Sequence, residues 1–260
     1  MRAAFEVCDG PGTLVSLAVH AGHDLRPAIA SLMAIDNNTR RREEDPFTDL
    51  LVGDAGTRMI VRRSRFEVDI NRPRDRAVYL EPADAWDLEV WTERPPDAEV
   101  QASLAIYDDF YAALAERLDR LAAAGRFVVL DVHSYNHRRQ GPSGPAAPEP
   151  ENPEVNVGTG ALDQRRWGPV VERFIDDLRA ERVAGHHLDV RENIRFSGGY
   201  VARWVAGRYP DTGCVLAIEF KKLFMDEWTG EPEPAHIAEL AQALAVAVQP
   251  TVGILAGEPG

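Results

Sequence analysis

Two histidines follow stretches of apolar, β-branched residues that are typical of buried strands. His20 comes directly after LVSLAV (14–19), and His133 lies in LDVHS (130–134), which continues the apolar stretch RFVVL (126–130). Ligand sites of α/β proteins form at the carboxyl ends of sheet strands, so these two side chains are placed where they could meet. Imidazole nitrogens are common zinc ligands, which makes the pair a candidate for part of a metal site.

A glutamate and an Asn-Arg pair extend this set. Glu219 lies inside the apolar stretch VLAIEF (215–220), where an unpaired carboxylate would be costly. Asn71 and Arg72 follow RFEVDI (65–70), another strand-like stretch. Two histidines, a carboxylate and a further glutamate would supply three zinc ligands and a general base for a zinc-bound water.

Strand-like and helix-like segments alternate along the chain. Strands are predicted at 13–19, 59–61, 65–70, 126–130 and 214–220. Helices are predicted from Pro96 to Gly125, from about 162 to 184, and from about 235 to 248. This alternation predicts an α/β fold, a three-layer α/β/α sandwich with a mixed central sheet.

Length and charge limit the possible functions. A chain of 260 residues with 45% hydrophobic content is of ordinary size for one α/β domain, so we expect a single domain over 1–260. The net charge of −13 disfavours binding to nucleic acid or to an anionic membrane. No leader or membrane-spanning stretch is recognised, so we expect a cytoplasmic protein. Cys8 and Cys214 are too few for a cysteine-rich metal site.

Three further polar segments are interpreted separately. The Pro- and Gly-rich stretch 140–157 has no apolar periodicity and follows the histidine cluster, so it is predicted as a lid over the site, with a flexible insertion as the alternative. His137, Arg138 and Arg139 are predicted as the rim of the site or as a solvated loop. The charged run 40–44 is interpreted as a solvated segment.

Seven segments, in this order, resemble the N-formylglutamate amidohydrolase family of zinc carboxypeptidase-like hydrolases. They are VHAGHDLRP (19–27), EDPFTDLLV (44–52), SRFEVDINRPR (64–74), LDVHS (130–134), VNVGTG (155–160), FSGGYVARW (196–204) and LAIEFKKLFMDE (216–227). The resemblance implies a mixed-sheet α/β/α fold and metal-dependent hydrolysis of a small N-acyl amino acid. A metallo-carboxypeptidase-like hydrolase of small peptides and a non-catalytic binding protein are the alternatives.

The resemblance also implies roles for individual residues. His20, Asp45 and His133 are expected to hold a divalent metal, Zn²⁺ by preference, with Asp131 or the backbone orienting the ring of His133. The alternatives to Asp45 as third ligand are His23, Glu44 and Asp49.

Glu219 is expected to be the general base and Arg65 to polarise the scissile carbonyl. Asn71 and Arg72 match a pair that grips a substrate carboxylate, to which a guanidinium can donate two parallel hydrogen bonds. The other residues expected to face substrate are Tyr200, Arg203 and Asn156.

The substrate itself stays open at this point. The chain lacks much of the tract that typical family members carry after the Asn-Arg-Pro segment, and it has the acidic, tryptophan-bearing stretch EPADAWDLEVWTERPPD (81–97) instead. A small acid and a free amino acid are the expected products, but the acyl group does not follow from the sequence.

Overall fold

A seven-stranded mixed sheet forms the centre of the protein. The computed structural model describes residues 3–53 and 55–256. The strand order in the sheet is β1-β3-β2-β4-β9-β5-β8. These strands are β1 Phe5–Cys8, β2 Leu14–Ala18, β3 Thr57–Val61, β4 Phe127–Tyr135, β5 Val155–Gly158, β8 Val190–Glu192 and β9 Gly213–Lys221, and β6 Arg182–Val183 pairs with β7 His186–His187 in a separate hairpin.

Helices flank this sheet. They are α1 Pro27–Ala30, α2 Asn37–Glu43, α3 Thr48–Leu51, α4 Asp97–Ala124, α5 Gln164–Ala180, α6 Tyr200–Arg208 and α7 Pro234–Ala256. β3, β2, β4 and β9 run parallel, whereas β1 and β5 each run antiparallel to their neighbours β3 and β9. The predicted α/β sandwich with a mixed central sheet is therefore confirmed.

The predicted helical stripes form the core contacts. In α4 the residues Leu104, Tyr107, Tyr111, Leu114 and Leu118 are buried, and Gly125 ends the helix with a positive φ of 151°. A straight stripe of this kind buries one face of a helix and leaves the other in water. The buried face of α4 therefore extends from Leu104 to Leu118.

The last helix is longer than predicted. Among the described residues, one helix, α7, is long and apolar enough over Pro234–Ile254 to cross a membrane, by length and composition alone. Its residues Ile237, Leu240, Leu244 and Val248 are buried in the main core. Such a stripe is typical of a core helix of a globular protein, which can be equally long and apolar.

Three sequence interpretations were wrong in part. Residues 65–70 form turns and not a strand, since β3 already has a partner on each side, β1 and β2. The last residues of the predicted lid, 155–157, belong to β5 inside the sheet. The charged run 40–44 is not simply solvated, because Arg40 and Glu44 are buried and form an ion pair.

Candidate metal centre and active site

The sheet brings three of the predicted site residues to one edge. β2, β4 and β9 are parallel neighbours, so their carboxyl ends lie side by side. His20 follows β2 by two residues, and His133 near the end of β4 lies directly opposite Glu219 of β9. The side chains that were predicted at separate strand ends therefore meet.

Asp45 reaches the same place through a fixed turn. Its backbone N–H donates to the carbonyl of His20 at 3.0 Å, and Phe47 adopts a left-handed conformation with φ of 68°. Lys222, the residue after β9, donates from Nζ to the carbonyl of Glu44 at 2.7 Å. These contacts hold the carboxylate of Asp45 against the two histidines.

Three ligand-type atoms converge at this point. The atoms Nδ1 of His20 and Nδ1 of His133 lie 3.3 Å and 3.0 Å from Oδ2 of Asp45. One ligand atom of each residue lies within 4.8 Å of the other two, and all three residues are buried. Burial disfavours the charged carboxylate, yet the hydrogen bond with His133 and the nearby ring of His20 hold the pKa of Asp45 well below its usual value.

Each histidine is backed by a second carboxylate. Nε2 of His20 lies 2.7 Å from Oδ1 of Asp69, and Nε2 of His133 lies 3.0 Å from Oδ1 of Asp131. Burial raises the pKa of Asp69, but the charges of Arg65 and His20 outweigh burial and leave this pKa well below the usual value. The ionised carboxylate therefore accepts a hydrogen bond from Nε2 of His20. The lone pair of Nδ1 then faces the carboxylate of Asp45.

A cation fits this arrangement. Nδ1 of His20 is buried and has no hydrogen-bond partner among the described residues. With the ring proton of His20 directed to Asp69, the lone pair of Nδ1 points at the carboxylate of Asp45, which is unfavourable without positive charge between them. Burial lowers the pKa of His133, but Asp131 and Asp45 outweigh it and raise that pKa well above its usual value. The cluster therefore attracts positive charge.

The rival ligands are committed elsewhere. Nδ1 of His23 lies 2.5 Å from Oε2 of Glu44, and Glu44 also accepts a hydrogen bond from Ser64. Asp49 pairs with Arg62 at 2.7 Å, and both side chains are partly buried. Among the described residues, the metal-type cluster consists of His20, Asp45 and His133.

One cavity of about 430 Å³ contains the centre. Seven of the ten predicted site residues line it, namely His20, Asp45, Arg65, Asn71, Arg72, His133 and Glu219. The guanidinium of Arg65 is held by Oδ2 of Asp69 at 2.9 Å and by the hydroxyl of Tyr79 at 3.2 Å. The side chain of Arg72 keeps 30% of its surface exposed, so it can still contact a ligand.

Glu219 has the electrostatics of a proton acceptor and donor. Burial raises the pKa of its carboxyl to about 8, although the nearby His133 opposes this shift. A carboxyl whose pKa lies near neutral pH can accept a proton and release it again. Its backbone pairing with His133 places it beside the metal-type cluster.

Comparison with known proteins identifies the family. A sequence model described as N-formylglutamate amidohydrolase matches residues 12–225, which is most of the chain. The chain belongs to the N-formylglutamate amidohydrolase family. The predicted family is thus confirmed, and with it hydrolase chemistry on an amide.

Solved structures agree on the fold of this family member. The crystal structure of N-formylglutamate amidohydrolase from Ralstonia eutropha JMP134 is 17% identical, with a TM-score of 0.76 over 98% of this chain and 99% of that chain. The gene product Atu2144 from Agrobacterium tumefaciens is 19% identical, with a TM-score of 0.69 over 96% of both chains. At these identities the likeness shows a shared fold. No curated protein matches the sequence.

Three predicted substrate residues of this amidohydrolase-family chain lie outside the cavity lining. Asn156 on β5 is fully buried, and its Oδ1 accepts from the backbone N–H of Arg195 at 2.9 Å. The ring of Tyr200 packs edge-on against Tyr111, and Arg203 donates to the carbonyl of Gly198 at 3.3 Å. The contact of these three residues with substrate stays a prediction. Asn156 has, in addition, a structural role, because it binds the backbone of Arg195.

Several cavity residues were missed by the sequence analysis. The cavity lining includes Trp86 and Arg195, which were not predicted. Arg139, which was predicted as the rim of the site or as a solvated loop, also lines the cavity. Burial and the charge of Arg139 lower the pKa of Arg195. An acid inside the apolar stretch 65–70 was the available signal for Asp69, the carboxylate behind His20. No sequence signal distinguished Arg195 from the many surface arginines.

Proposed function

We propose that the protein is a zinc-dependent amidohydrolase that cleaves a small N-acyl amino acid bearing a free carboxylate. The observation that carries this proposal is the convergence of Nδ1 of His20, Nδ1 of His133 and Oδ2 of Asp45 in the cavity that also contains Glu219. Family membership supplies the reaction class, the hydrolysis of an amide.

His20, Asp45 and His133 would hold the metal ion. Two imidazoles and one carboxylate are a ligand set that Zn²⁺ accepts in catalytic sites, with a further position left for water or substrate. When bound, the ion would act as a Lewis acid toward the amide carbonyl and would activate water for attack. Asp69 and Asp131 would fix the ring orientations through the two Nε2 atoms.

Glu219 would move the proton in this reaction. Its carboxylate takes a proton from the attacking water and passes it to the nitrogen of the leaving amine. Arg65 is held by Asp69 and Tyr79 in the same cavity, where its guanidinium can stabilise the negative charge that develops on the carbonyl oxygen.

Cationic side chains would hold the substrate carboxylate. Arg72 offers a partly exposed guanidinium, and Asn71 lines the same wall. Arg139 and Arg195 add two more guanidiniums to the cavity, and their mutual repulsion would be relieved by an anion between them. A substrate with one or two carboxylates suits this lining.

Metal analysis combined with an activity assay tests the proposal. The purified protein should contain about one tightly held divalent ion per chain, as expected for one three-ligand site. It should release amino acid from an N-acyl amino acid such as N-formylglutamate, lose this activity with a chelator, and recover it with Zn²⁺. His20→Ala and His133→Ala should lose the ion and remain folded, whereas His187→Ala, a change at an exposed histidine, should retain it.

Two results would contradict the proposal. Full metal occupancy in both His20→Ala and His133→Ala would remove these residues from the ligand set. Zinc-loaded protein that binds N-acyl amino acids without hydrolysing any would favour the non-catalytic alternative.

The single-domain organisation, the cytoplasmic location and the lack of nucleic-acid binding stay predictions.

A further inference from the structure

A tryptophan stands in the cavity wall with much of its ring uncovered. Trp86 lines the cavity, and 50% of its surface is exposed. Its ring meets Tyr79 edge-on at 6.2 Å, and the guanidinium of Arg65 lies 4.9 Å from its centre. The residue is thus fixed next to a group that we place at the scissile carbonyl, while indole surface remains available for contact.

The wall that carries Trp86 has its own hydrophobic support. Five buried residues form a cluster separate from the main core, and one of them, Tyr79, contacts the ring of Trp86. The five are Ile35, Phe66, Tyr79, Ala85 and Val90. Nε1 of Trp91 donates to the carbonyl of Tyr79 at 2.5 Å, and this hydrogen bond links the two ends of the segment 79–91, which contains Trp86. Trp86 therefore belongs to a packed wall and not to a loose surface loop.

The backbone at Trp86 is held in an unfavourable conformation. Trp86 and Asp87 both adopt left-handed conformations, with φ of 55° and 64°. Residues with a Cβ avoid this region, and such residues persist only where the surrounding structure imposes the conformation. The packed wall imposes it here, and the result is that the indole lies at the cavity.

We propose that Trp86 determines substrate specificity, and that the natural substrate carries a planar apolar group that packs against its indole. This inference rests on the proposed amidohydrolase function and specifies its substrate. The planar group belongs either to the acyl part or to the amino-acid side chain. Both sources share the same chemistry, and the experiment below distinguishes them.

The exposed indole of Trp86 in the cavity lining supports an apolar group in the substrate. A formyl group consists of one carbon and one oxygen, so it offers almost no surface to an indole. The cavity of about 430 Å³ falls within the range of roughly 300–1,000 Å³ that is usual for small-molecule sites. A planar apolar group against Trp86 would remove both its own surface and that of the indole from water, without removing water from polar atoms.

Three ligands separate the possibilities. N-formylglutamate has no planar apolar group, N-benzoylglutamate carries one in the acyl part, and N-formylphenylalanine carries one in the side chain. Their affinities are measured by calorimetry on zinc-loaded Glu219→Gln protein, in which turnover should be slow. Turnover of the same compounds is measured separately on the unaltered protein.

The informative variant is Trp86→Gly. Glycine adopts positive φ without strain, so the backbone of the wall is kept while the indole is removed. Aromatic contacts account for roughly 2- to 10-fold in affinity, so we expect a loss of that size for one of the aromatic ligands. Affinity for N-formylglutamate should stay unchanged. The aromatic ligand that loses affinity identifies whether the acyl group or the side chain meets Trp86.

The matched control is Trp228→Ala. Trp228 is also stacked by an arginine, with the guanidinium of Arg42 at 4.2 Å, but it lies outside the cavity lining. This change should leave the preference among the three ligands intact, and Trp86→Phe should retain most of it.

Specific results would overturn the inference. It is wrong if neither aromatic ligand binds more tightly than N-formylglutamate, or if Trp86→Gly keeps the aromatic preference. A failure of the unaltered protein to hydrolyse any amide would instead count against the proposed function. That result would leave the affinity comparison valid, so the two failures can be told apart.

Discussion

Replacement of Asp69 by asparagine tests the role of the carboxylate behind His20. Asp69 is fully buried, and its Oδ1 accepts from Nε2 of His20 at 2.7 Å and from the backbone N–H of Asn71 at 2.8 Å. Its Oδ2 accepts from Nη2 of Arg65 at 2.9 Å and from the hydroxyl of Tyr79. The change Asp69→Asn keeps the shape but replaces one acceptor by an NH₂ donor.

Neither orientation of the new amide satisfies these partners. With the NH₂ group toward His20, this donor faces the backbone N–H of Asn71, which is also a donor. Nε2 of His20 must then accept a hydrogen bond, so the ring proton moves to Nδ1, where it blocks metal binding. With the NH₂ group toward Arg65, two donors face each other. Changes behind a metal ligand typically lower metal affinity by 10- to 100-fold, so we expect about that loss of Zn²⁺ affinity. Breaking a buried ion pair also costs about 3–5 kcal/mol of stability.

The assay compares this variant with a matched one. Glu67 is also fully buried, and it pairs with Arg26 at 2.6 Å, away from the metal-type cluster. Zinc affinity is measured by competition with a chelator, and stability by urea unfolding of metal-free protein. Glu67→Gln should lose stability but keep its affinity for zinc, whereas Asp69→Asn should lose both. Equal zinc affinities in Asp69→Asn and unaltered protein would refute this account of the site.

Three other predictions follow from the same geometry. Glu219→Gln should keep its fold and bound metal but lose about 10²–10⁴-fold in turnover, because an amide cannot accept the proton; near-normal turnover of a metal-loaded variant would exclude Glu219 as the base. Arg72→Lys keeps the charge but loses the planar fork, so it should raise KM for carboxylate-bearing amides, and an unchanged KM would mark Arg72 as structural. Asp45 and Asp69 have folded-state pKa values below those of the unfolded chain, so their contribution to stability is present above about pH 4 and is lost as pH falls further. The urea concentration at the unfolding midpoint of metal-free protein should therefore decrease as the pH is lowered below about 4. This decrease should be less steep in Asp69→Asn.

Much of the centre could be predicted because its residues interrupt strong patterns. His20, His133 and Glu219 each break or end a buried apolar strand, and a polar residue in such a place needs a compensating partner. Parallel pairing then brings the three strand ends together without further information. Asp45 had no such signal of its own and was identified through resemblance to the family.

Residues placed by tertiary packing were less accessible. The stretch 65–70 alternates like a strand, but its acids turn inward to Arg26 and Arg65, and the neighbouring sheet positions are already filled. β5 is four residues long and follows a Pro-rich stretch, so its place beside β9 depends on pairing and not on local preference. The ion pair of Arg40 with Glu44 shows the same limit, because a charged run does not reveal which members are buried.

A short series of contacts connects Trp86 in the cavity wall with His20 of the metal-type cluster. Asp69 binds His20 on one side and both Arg65 and Tyr79 on the other, and these two side chains also contact the ring of Trp86. Arg65 is anchored by the carboxylate of Asp69 and by the hydroxyl of Tyr79, so loss of the indole leaves two strong contacts in place. Substitution at Trp86 should therefore change ligand preference without loss of zinc, whereas substitution at Asp69 should disturb both. That asymmetry follows from the order of the contacts, since Asp69 touches the ligand histidine directly, whereas Trp86 is connected to it only through Arg65 or Tyr79 and then Asp69.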